Sequence, residues 1–347
     1  LEGRTTSTGK FKAAILVEQN KALVVDEISI YPPGPGVGQV RVKVYCSSIC
    51  GAQIGEITGA AGEDKYIPHL LGHEGSGVVE EIGLGVTTVK KRDHVVMHWR
   101  KGAGIEAKPP KYQWKDKTIG GGLVTTFNEY AVVSENRLTR IDDDISFNVA
   151  ALMGCAVTTG LGIINNEAKL KIGQSIAVIG CGGVGLNVIQ GAVMVSANPI
   201  IAIDIHDEKL DMAMDIGATD TFNMKRDPVS HLRADVVVEC TGLVGMIQTA
   251  YSMTVPRGRL ILVGQPHYEQ ILILHGVRQH YCGKTVMDSE GGQTNPSIDI
   301  PRYLNLYRKG KFDLDALITN RYPLTEINKA IEMVKSGKAG KVILEMA

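Results

Sequence analysis

The amino-acid sequence predicts an α/β chain in two parts, a mostly antiparallel β region followed by an open, doubly wound parallel sheet. Three observations predict it. Residues 11–140 carry polar–apolar alternation, clearest in Gln39-Val40-Arg41-Val42-Lys43-Val44, the period-2 pattern of a strand with one solvated face. From about residue 156 short apolar runs alternate with helical spacing, which implies parallel strands joined by right-handed crossovers. The 347 residues give room for two domains at roughly 150 residues each. The expected division is 11–155 with 296–347 for one domain, and 156–295 for the other.

Composition narrows the function before any motif is read. Lys plus Arg number 37 and Asp plus Glu number 37, a formal net charge of zero. A nucleic-acid or anionic-membrane partner favours a basic excess, so neither is expected. The charged fraction of 21% and the hydrophobic fraction of 44% are ordinary globular values. Glycine, at 40 residues, is about 12% against a usual ~7%, so many backbone positions turn tightly or approach something closely. The six cysteines (46, 50, 155, 181, 240 and 282) are scattered. That is no disulfide framework; free thiols or metal ligands in a reducing, cytoplasmic compartment fit better. Leu1-Glu2-Gly3-Arg4 has neither an initiator Met nor an apolar signal core, and roughly the first ten residues read as a cloning scar or frayed end.

Each element follows from local chemistry. Pro32-Pro33-Gly34-Pro35-Gly36 cannot join a ladder and is a loop. Residues 91–128 are basic, poor in aliphatics and hold both tryptophans, predicting a loop or lobe that projects from the sheet. Residues 172–203 carry no charge, but Asn187, Gln190, Asn198, Pro199 and clustered glycines break any membrane span. They predict two buried strands, 175–179 and 200–203, around a helix over 184–195. A helix over 208–216 with Gly217 as its stop follows. Strands are expected at 235–239 and 259–263, and an apolar strand at 270–275, where an open sheet edge needs cover. Helices at 301–308 and 326–336 and a strand at 341–345 close the chain.

Gly180-Cys181-Gly182-Gly183-Val184-Gly185 fits G-x-G-x-x-G. The string alone is weak. Here it follows a strand, opens a helix, and precedes an acidic residue, Asp204, in the context of the Rossmann dinucleotide fingerprint. Gly180 permits the tight turn, Gly182 lets backbone approach a pyrophosphate, and Gly185 lets helix and strand pack closely. The helix N-terminus adds positive potential. Asp204 would accept from the adenosine ribose diol and repel a 2′-phosphate, favouring NAD over NADP.

Ser48-Ile49-Cys50-Gly51, Gly72-His73-Glu74-Gly75 and Met153-Gly154-Cys155-Ala156 gather candidate metal ligands. Two thiolates and one imidazole would hold Zn²⁺ with a fourth position open, the catalytic pattern. Taken singly, each cysteine also fits core packing and the histidine a hydrogen-bonded surface. Their spacing does not by itself join them.

Together the G-H-E-G-S-G-V-V, G-C-x-x-T-T-G and G-C-G-G-V-G runs resemble the zinc-dependent medium-chain alcohol dehydrogenases, in that family's order and over nearly the whole chain. The resemblance implies a GroES-like catalytic domain and a Rossmann domain. It implies one catalytic zinc on Cys50, His73 and Cys155, with Glu74 beside them as a neighbouring carboxylate or alternating ligand. By the same resemblance Thr159, Gly183 and Val184 lie along the cofactor. Lys209 would stand near the adenosine ribose, and Lys341 at the pyrophosphate. The family also pairs the region of 270–275 across a two-fold axis, so a homodimer or homotetramer is expected.

Four departures from the family pattern stand out. No cysteine occupies residues 91–128, so thiolates cannot ligate a second, structural zinc there. Ala52 replaces the Ser or Thr that passes the alcohol proton. Gly55 replaces a frequent His, and Gln53 a frequent Asp that orients the ligand histidine.

The expected activity is hydride transfer between NAD(H) and an alcohol or carbonyl. Ala52 and Gly55 remove bulk near the metal, while Trp99 falls at a pocket-lining aromatic position or packs the lobe. His98, Arg100 and Lys101 flank it, either meeting a polyhydroxy or anionic substrate or forming a solvated hairpin. A secondary hydroxyl of a polyol, sugar or cyclitol is the expected substrate. The alternatives are a simple primary alcohol, a zinc-free reductase, or a non-catalytic binding module. With Ala52 in the relay position, the proton would leave through water, through a second substrate hydroxyl, or through Glu74 or His98.

Overall fold

The computed structural model describes residues 9–274 and 282–346. Of the roughly ten residues expected as a scar or frayed end, 1–8 lie outside them. The chain opens with strands β1 (Phe11–Leu16), β2 (Val24–Tyr31) and β3 (Gln39–Ser48), then helix α1 (Gly51–Thr58). Short β4 (His69–Leu70) precedes β5 (Glu74–Ile82), β6 (His94–His98), β7 (Lys111–Trp114), β8 (Lys117–Gly120), β9 (Tyr130–Ser134) and β10 (Leu138–Ile141). In β3 the alternation holds: Val40, Val42 and Val44 are buried while Arg41 and Lys43 are half-exposed. That strand pairs with β5 along one edge, and with β9 along the first half of the other.

Residues 91–128 correct the expectation of a projecting lobe. β7 and β8 close a five-stranded barrel with β1, β2 and β4. Tyr112, Trp114 and Ile119 fill its core, while Lys111 and Lys117 face outward. The period-2 signal was there, but aromatic residues carried it in place of aliphatic ones.

Helices α2 (Phe147–Leu152) and α3 (Ala156–Gly162) lead into the second region. Ser146 caps α2, its hydroxyl accepting from Val149 N–H at 3.3 Å. β11 (Ile176–Ile179), α4 (Gly183–Met194), β12 (Ile200–Asp204), α5 (Asp207–Asp215), β13 (Asp220–Asn223), β14 (Ala234–Glu239), α6 (Val244–Met253), β15 (Thr254–Leu262) and β16 (Thr285–Asp288) then build one sheet. Its order is β13-β12-β11-β14-β15-β16, all parallel. The uncharged stretch is indeed strand–helix–strand, and Gly217, at φ +107°, stops α5. Among the described residues no helix is long and apolar enough to cross a membrane.

Residues 270–274 are not strand, correcting that expectation; His275 lies outside the described residues. Ile271 and Ile273 are exposed there, and β16 forms the sheet edge instead. A last helix pair, α7 (Pro296–Arg308) and α8 (Ile327–Lys335), flanks β17 (Ile318–Pro323) and precedes β18 (Lys341–Glu345). α7 starts five residues before the expected Pro301, because Pro296 takes the first turn, where a missing N–H costs little. α8 buries Ile327, Ala330 and Ile331, one face at helical spacing. β18 runs back against the end of β3, returning the C-terminus to the first sheet.

Candidate active site

Strand pairing assembles the candidate metal ligands. Ser47 at the end of β3 faces Gly75 at the start of β5. Cys50, just past β3, and His73, just before β5, therefore meet at one sheet edge. Cys155 arrives from the turn between α2 and α3. A Cβ on Gly154 would lie 2.4 Å from the Met97 carbonyl and 2.7 Å from Glu74 Cα. Only glycine lets that turn press onto β5 and β6.

The three ligand atoms lie within 4.8 Å of one another, and the two Sγ atoms are 3.9 Å apart. Two thiolates on one tetrahedral zinc, at ~2.3 Å each, stand about 3.8 Å apart. His73 Nε2 is buried without a partner in the protein, while Nδ1 is in hydrogen-bonding contact with the Gln53 amide. An orphaned imidazole nitrogen facing two sulfurs is what a metal satisfies. The donor set fits zinc.

The charges agree. The hydrogen bond with Cys155 is the largest influence lowering the Cys50 pKa, joined by His73 and Lys341 against the effect of burial. The same hydrogen bond, and then burial, push Cys155 up. Burial opposes charge on His73, but the neighbouring Cys50, with Glu74 and Glu56, outweighs it and raises its pKa.

Glu74 is fully buried. One carboxylate oxygen takes Lys341 Nζ at 2.5 Å and the other accepts from Ala156 N–H at 3.3 Å. It is not among the clustered ligand atoms: with both oxygens partnered it stands beside them as a neighbouring carboxylate. Lys341 is buried, its stem against Gly183 and its ammonium on Glu74. It thus joins the glycine loop to the metal-ligand strand.

In the loop between β11 and α4, Gly180 has φ +92°. A Cβ on Gly185 would lie 2.1 Å from the Gly180 carbonyl, whereas one on Gly182 would meet nothing within 4 Å. The face beside Gly182 is open at the start of α4, a helix N-terminus that favours anions. Asp204 ends β12; its Oδ2 accepts from Cys181 N–H, and its Oδ1 from Ile205 and His206 N–H. Three of about four acceptor positions are therefore filled. Lys209 is buried, and burial lowers its pKa against the opposing pull of Asp204. Val184 packs on the core at the first turn of α4. Thr159, buried on α3, has its carbonyl against the Gly291–Gly292 turn.

Trp99 packs on that same turn from the other side, its Cζ2 lying 2.6 Å from where a Gly291 Cβ would be. His98 corrects the expectation of a substrate-facing or relay group. Its ring is 1% exposed, with Nδ1 on the Arg100 carbonyl and Nε2 on the Thr139 hydroxyl. No ring nitrogen is left to meet a ligand. Arg100 is likewise engaged, with the carbonyls of Glu290 and Thr294.

Ala52 and Gly55 are half-buried on α1, and a Cβ on Gly55 would touch only the Ala60 methyl, at 3.8 Å. Sequence reasoning missed Glu56, on the same helix. It lies three residues after Gln53 and four after Ala52, the spacing of one helix face. That spacing was readable once α1 was recognised.

Comparisons with known proteins agree with this geometry. Residues 36–143 match the family model described as alcohol dehydrogenase GroES-like domain, and residues 183–308 the one described as zinc-binding dehydrogenase. An alcohol dehydrogenase class-P from Arabidopsis thaliana is 30% identical, across 96% of this chain and 97% of its own. The crystal structure of an alcohol dehydrogenase zinc-binding domain protein from Burkholderia ambifaria superposes with TM-score 0.89 at 25% identity, covering 98% and 99% of the two chains. A 2R,3R-butanediol dehydrogenase from Bacillus subtilis superposes with TM-score 0.76 at 25% identity, covering 96% and 99%.

Proposed function

The chain belongs to the zinc-type alcohol dehydrogenase family, and from that premise we propose that it transfers hydride between NAD(H) and a secondary hydroxyl of a polyol, sugar or cyclitol. The observation that carries the reaction is the orphaned His73 Nε2 facing the Cys50 and Cys155 sulfurs. When bound, zinc supplies Lewis acidity that lowers the alcohol pKa, and NAD supplies the hydride acceptor.

The protein's own residues do the rest. Cys50, His73 and Cys155 would hold the ion, and Gln53 fixes the imidazole so that Nε2 points at it. Lys341 neutralises Glu74, keeping a second negative charge from the thiolates. The loop at Gly180, Gly182, Gly183 and Gly185 would receive the pyrophosphate. Thr159, Val184, Asp204 and Lys209 would line the rest of the cofactor. Ala52 has no proton to give or take, so the alcohol proton leaves through water or a neighbouring substrate hydroxyl.

Two features support the polyol class over a simple primary alcohol. Ala52 and Gly55 leave space on the α1 face, and the butanediol dehydrogenase relative acts, by its name, on a diol. The same reading makes the protein a homodimer or homotetramer, consistent with the open edge at β16 and exposed Val286.

The test is NADH formation against matched diols and mono-alcohols. The expected result is one zinc per chain, activity abolished in Cys155→Ser with the fold retained, and a higher kcat on vicinal diols. Full activity after metal removal would defeat the zinc assignment. Equal kcat on diols and mono-alcohols would favour the primary-alcohol reading.

A further inference from the structure

The Glu56 carboxylate is a charge without a partner. It is half-buried on α1, and among the described residues no hydrogen bond or ion pair of its side chain exists; only its backbone carbonyl is engaged, by Gln19 Nε2 and Gly59 N–H. Its place on the helix fixes where it faces. Gln53 on the same face touches the His73 ring, and the charge of His73 is the strongest acting on Glu56, ahead of those of His69, Asp64 and Cys50. Glu56 therefore sits on the face of α1 bracketed by Ala52 and Gln53, one helical turn beyond Ala52.

Burial of an unpaired carboxylate is unfavourable, and it raises the pKa of Glu56 above the ordinary value. The His73 and His69 charges offset that burial only in part, and neither ring bonds the carboxylate. His69 already holds Asp64, with Nε2 to Oδ2 at 2.7 Å, while His73 has Nδ1 on Gln53 and turns Nε2 towards the thiols. No lysine or arginine is among the groups acting most strongly on Glu56. A zinc ion held by two thiolates and a neutral imidazole carries no net charge, so it does not supply the missing cation. Ala52 and Gly55 meanwhile leave room along this face for a ligand to reach the carboxylate.

We infer that Glu56 selects substrates that carry a cationic nitrogen next to the hydroxyl to be oxidised: amino alcohols and, within the polyol class, amino sugars and aminocyclitols. The inference rests on reading this site as an alcohol-oxidising one. Glu56 is a specificity-determining residue here, and the ammonium of the substrate is its counter-ion.

The experiment is calorimetric, using trans-2-aminocyclohexanol and trans-cyclohexane-1,2-diol at neutral pH, where the amine is cationic. Each is titrated into zinc-loaded and metal-free protein, wild type and Glu56→Gln. A charge-assisted hydrogen bond predicts that wild type binds the amine about tenfold more tightly than the diol or better. In Glu56→Gln that ratio falls about tenfold, with circular dichroism reporting an intact fold. In wild type alone, raising the salt concentration narrows it. A ratio near one in wild type overturns the inference, as does a ratio unchanged by Glu56→Gln. So does an equal loss of both ligands, which would make Glu56 a shaping or proton-accepting group. NADH formation by wild type on either compound tests the oxidation reading separately, and its failure leaves the binding ratio measurable.

Discussion

Lys341 and Glu74 form a buried ion pair, Nζ to Oε1 at 2.5 Å, between residues 267 positions apart in the sequence. One is the first residue of β18 and the other the first of β5. The pair ties the end of the chain to the strand that follows the ligand His73. Burial opposes the charge on Lys341, but Glu74 and the thiols outweigh it and raise the pKa. Removing one partner strands the other. Lys341→Met is predicted to cost about 3–5 kcal/mol, read from urea unfolding. The double variant Lys341→Met with Glu74→Gln should recover part of that loss. An unchanged unfolding midpoint in Lys341→Met would refute the prediction.

Gln53 holds the Nδ1 side of His73. As placed, the amide nitrogen faces Nδ1 and Oε1 is unpaired among the described residues; with Nε2 on a metal, Nδ1 carries the hydrogen, and the amide turns over to present its oxygen. Gln53→Leu removes that acceptor and leaves the ring free to turn. Zinc affinity should fall about 10–100-fold, measured by competition with a chromophoric chelator. Gln53→Asp should bind at least as tightly as wild type, since a carboxylate accepts the same hydrogen more strongly. Equal zinc affinity in wild type and Gln53→Leu would show that the amide does not orient the ligand.

How much was legible in the sequence depended on the distance over which residues cooperate. The glycine loop and the strand–helix alternation are local, and residues 176–204 fold as read. Cys50, His73 and Cys155 needed the family resemblance, because their meeting depends on β3–β5 register and on the Gly154 contact. The barrel hairpin at 111–120 was hidden by aromatic residues in inward positions where aliphatic ones were sought. Residues 270–274 are apolar yet unpaired, so composition alone misread them. The Lys341–Glu74 pair was out of reach, since nothing local marks either residue as the other's partner. Glu56 went unread because α1, only eight residues long, was not recognised as a helix.

Asp204 joins the glycine loop to the turn after β12 through Cys181, Ile205 and His206 N–H. In wild type its charge should repel a 2′-phosphate, giving kcat/KM in favour of NAD. Asp204→Ala removes that repulsion together with three hydrogen bonds that shape the loop. Two effects are expected in steady-state kinetics: a lower kcat/KM with NAD, and a preference shifted towards NADP. A wild-type preference for NADP would show that the filled carboxylate does not act on the ribose.

His98 titration gives the protein an acid-sensitive stability. Its ring ends β6 in the interior, where Nδ1–H donates to the Arg100 carbonyl at 2.7 Å and Nε2 accepts from the Thr139 hydroxyl at 2.9 Å. One donor and one acceptor describe a neutral imidazole. Burial, aided by the charge of Arg137 and opposed by the carbonyl of Arg100, pushes its pKa from 6.5 down to about 4. The unfolded chain therefore takes up this proton near pH 6.5, and the folded chain only near pH 4. Between those values the unfolded state binds more protons, so stability falls as pH falls. The contribution is complete above pH 6.5 and is lost on passing down through pH 4, with a total on the order of 3 kcal/mol. Other groups titrate in the same window, including the metal ligands, so the comparison with His98→Gln isolates the ring. Glutamine keeps a polar group at the site but cannot take the proton. Urea midpoints measured from pH 7.5 to pH 4.5 should decline less steeply for His98→Gln than for wild type. Parallel declines would mean that His98 does not titrate between the folded and unfolded values assigned to it.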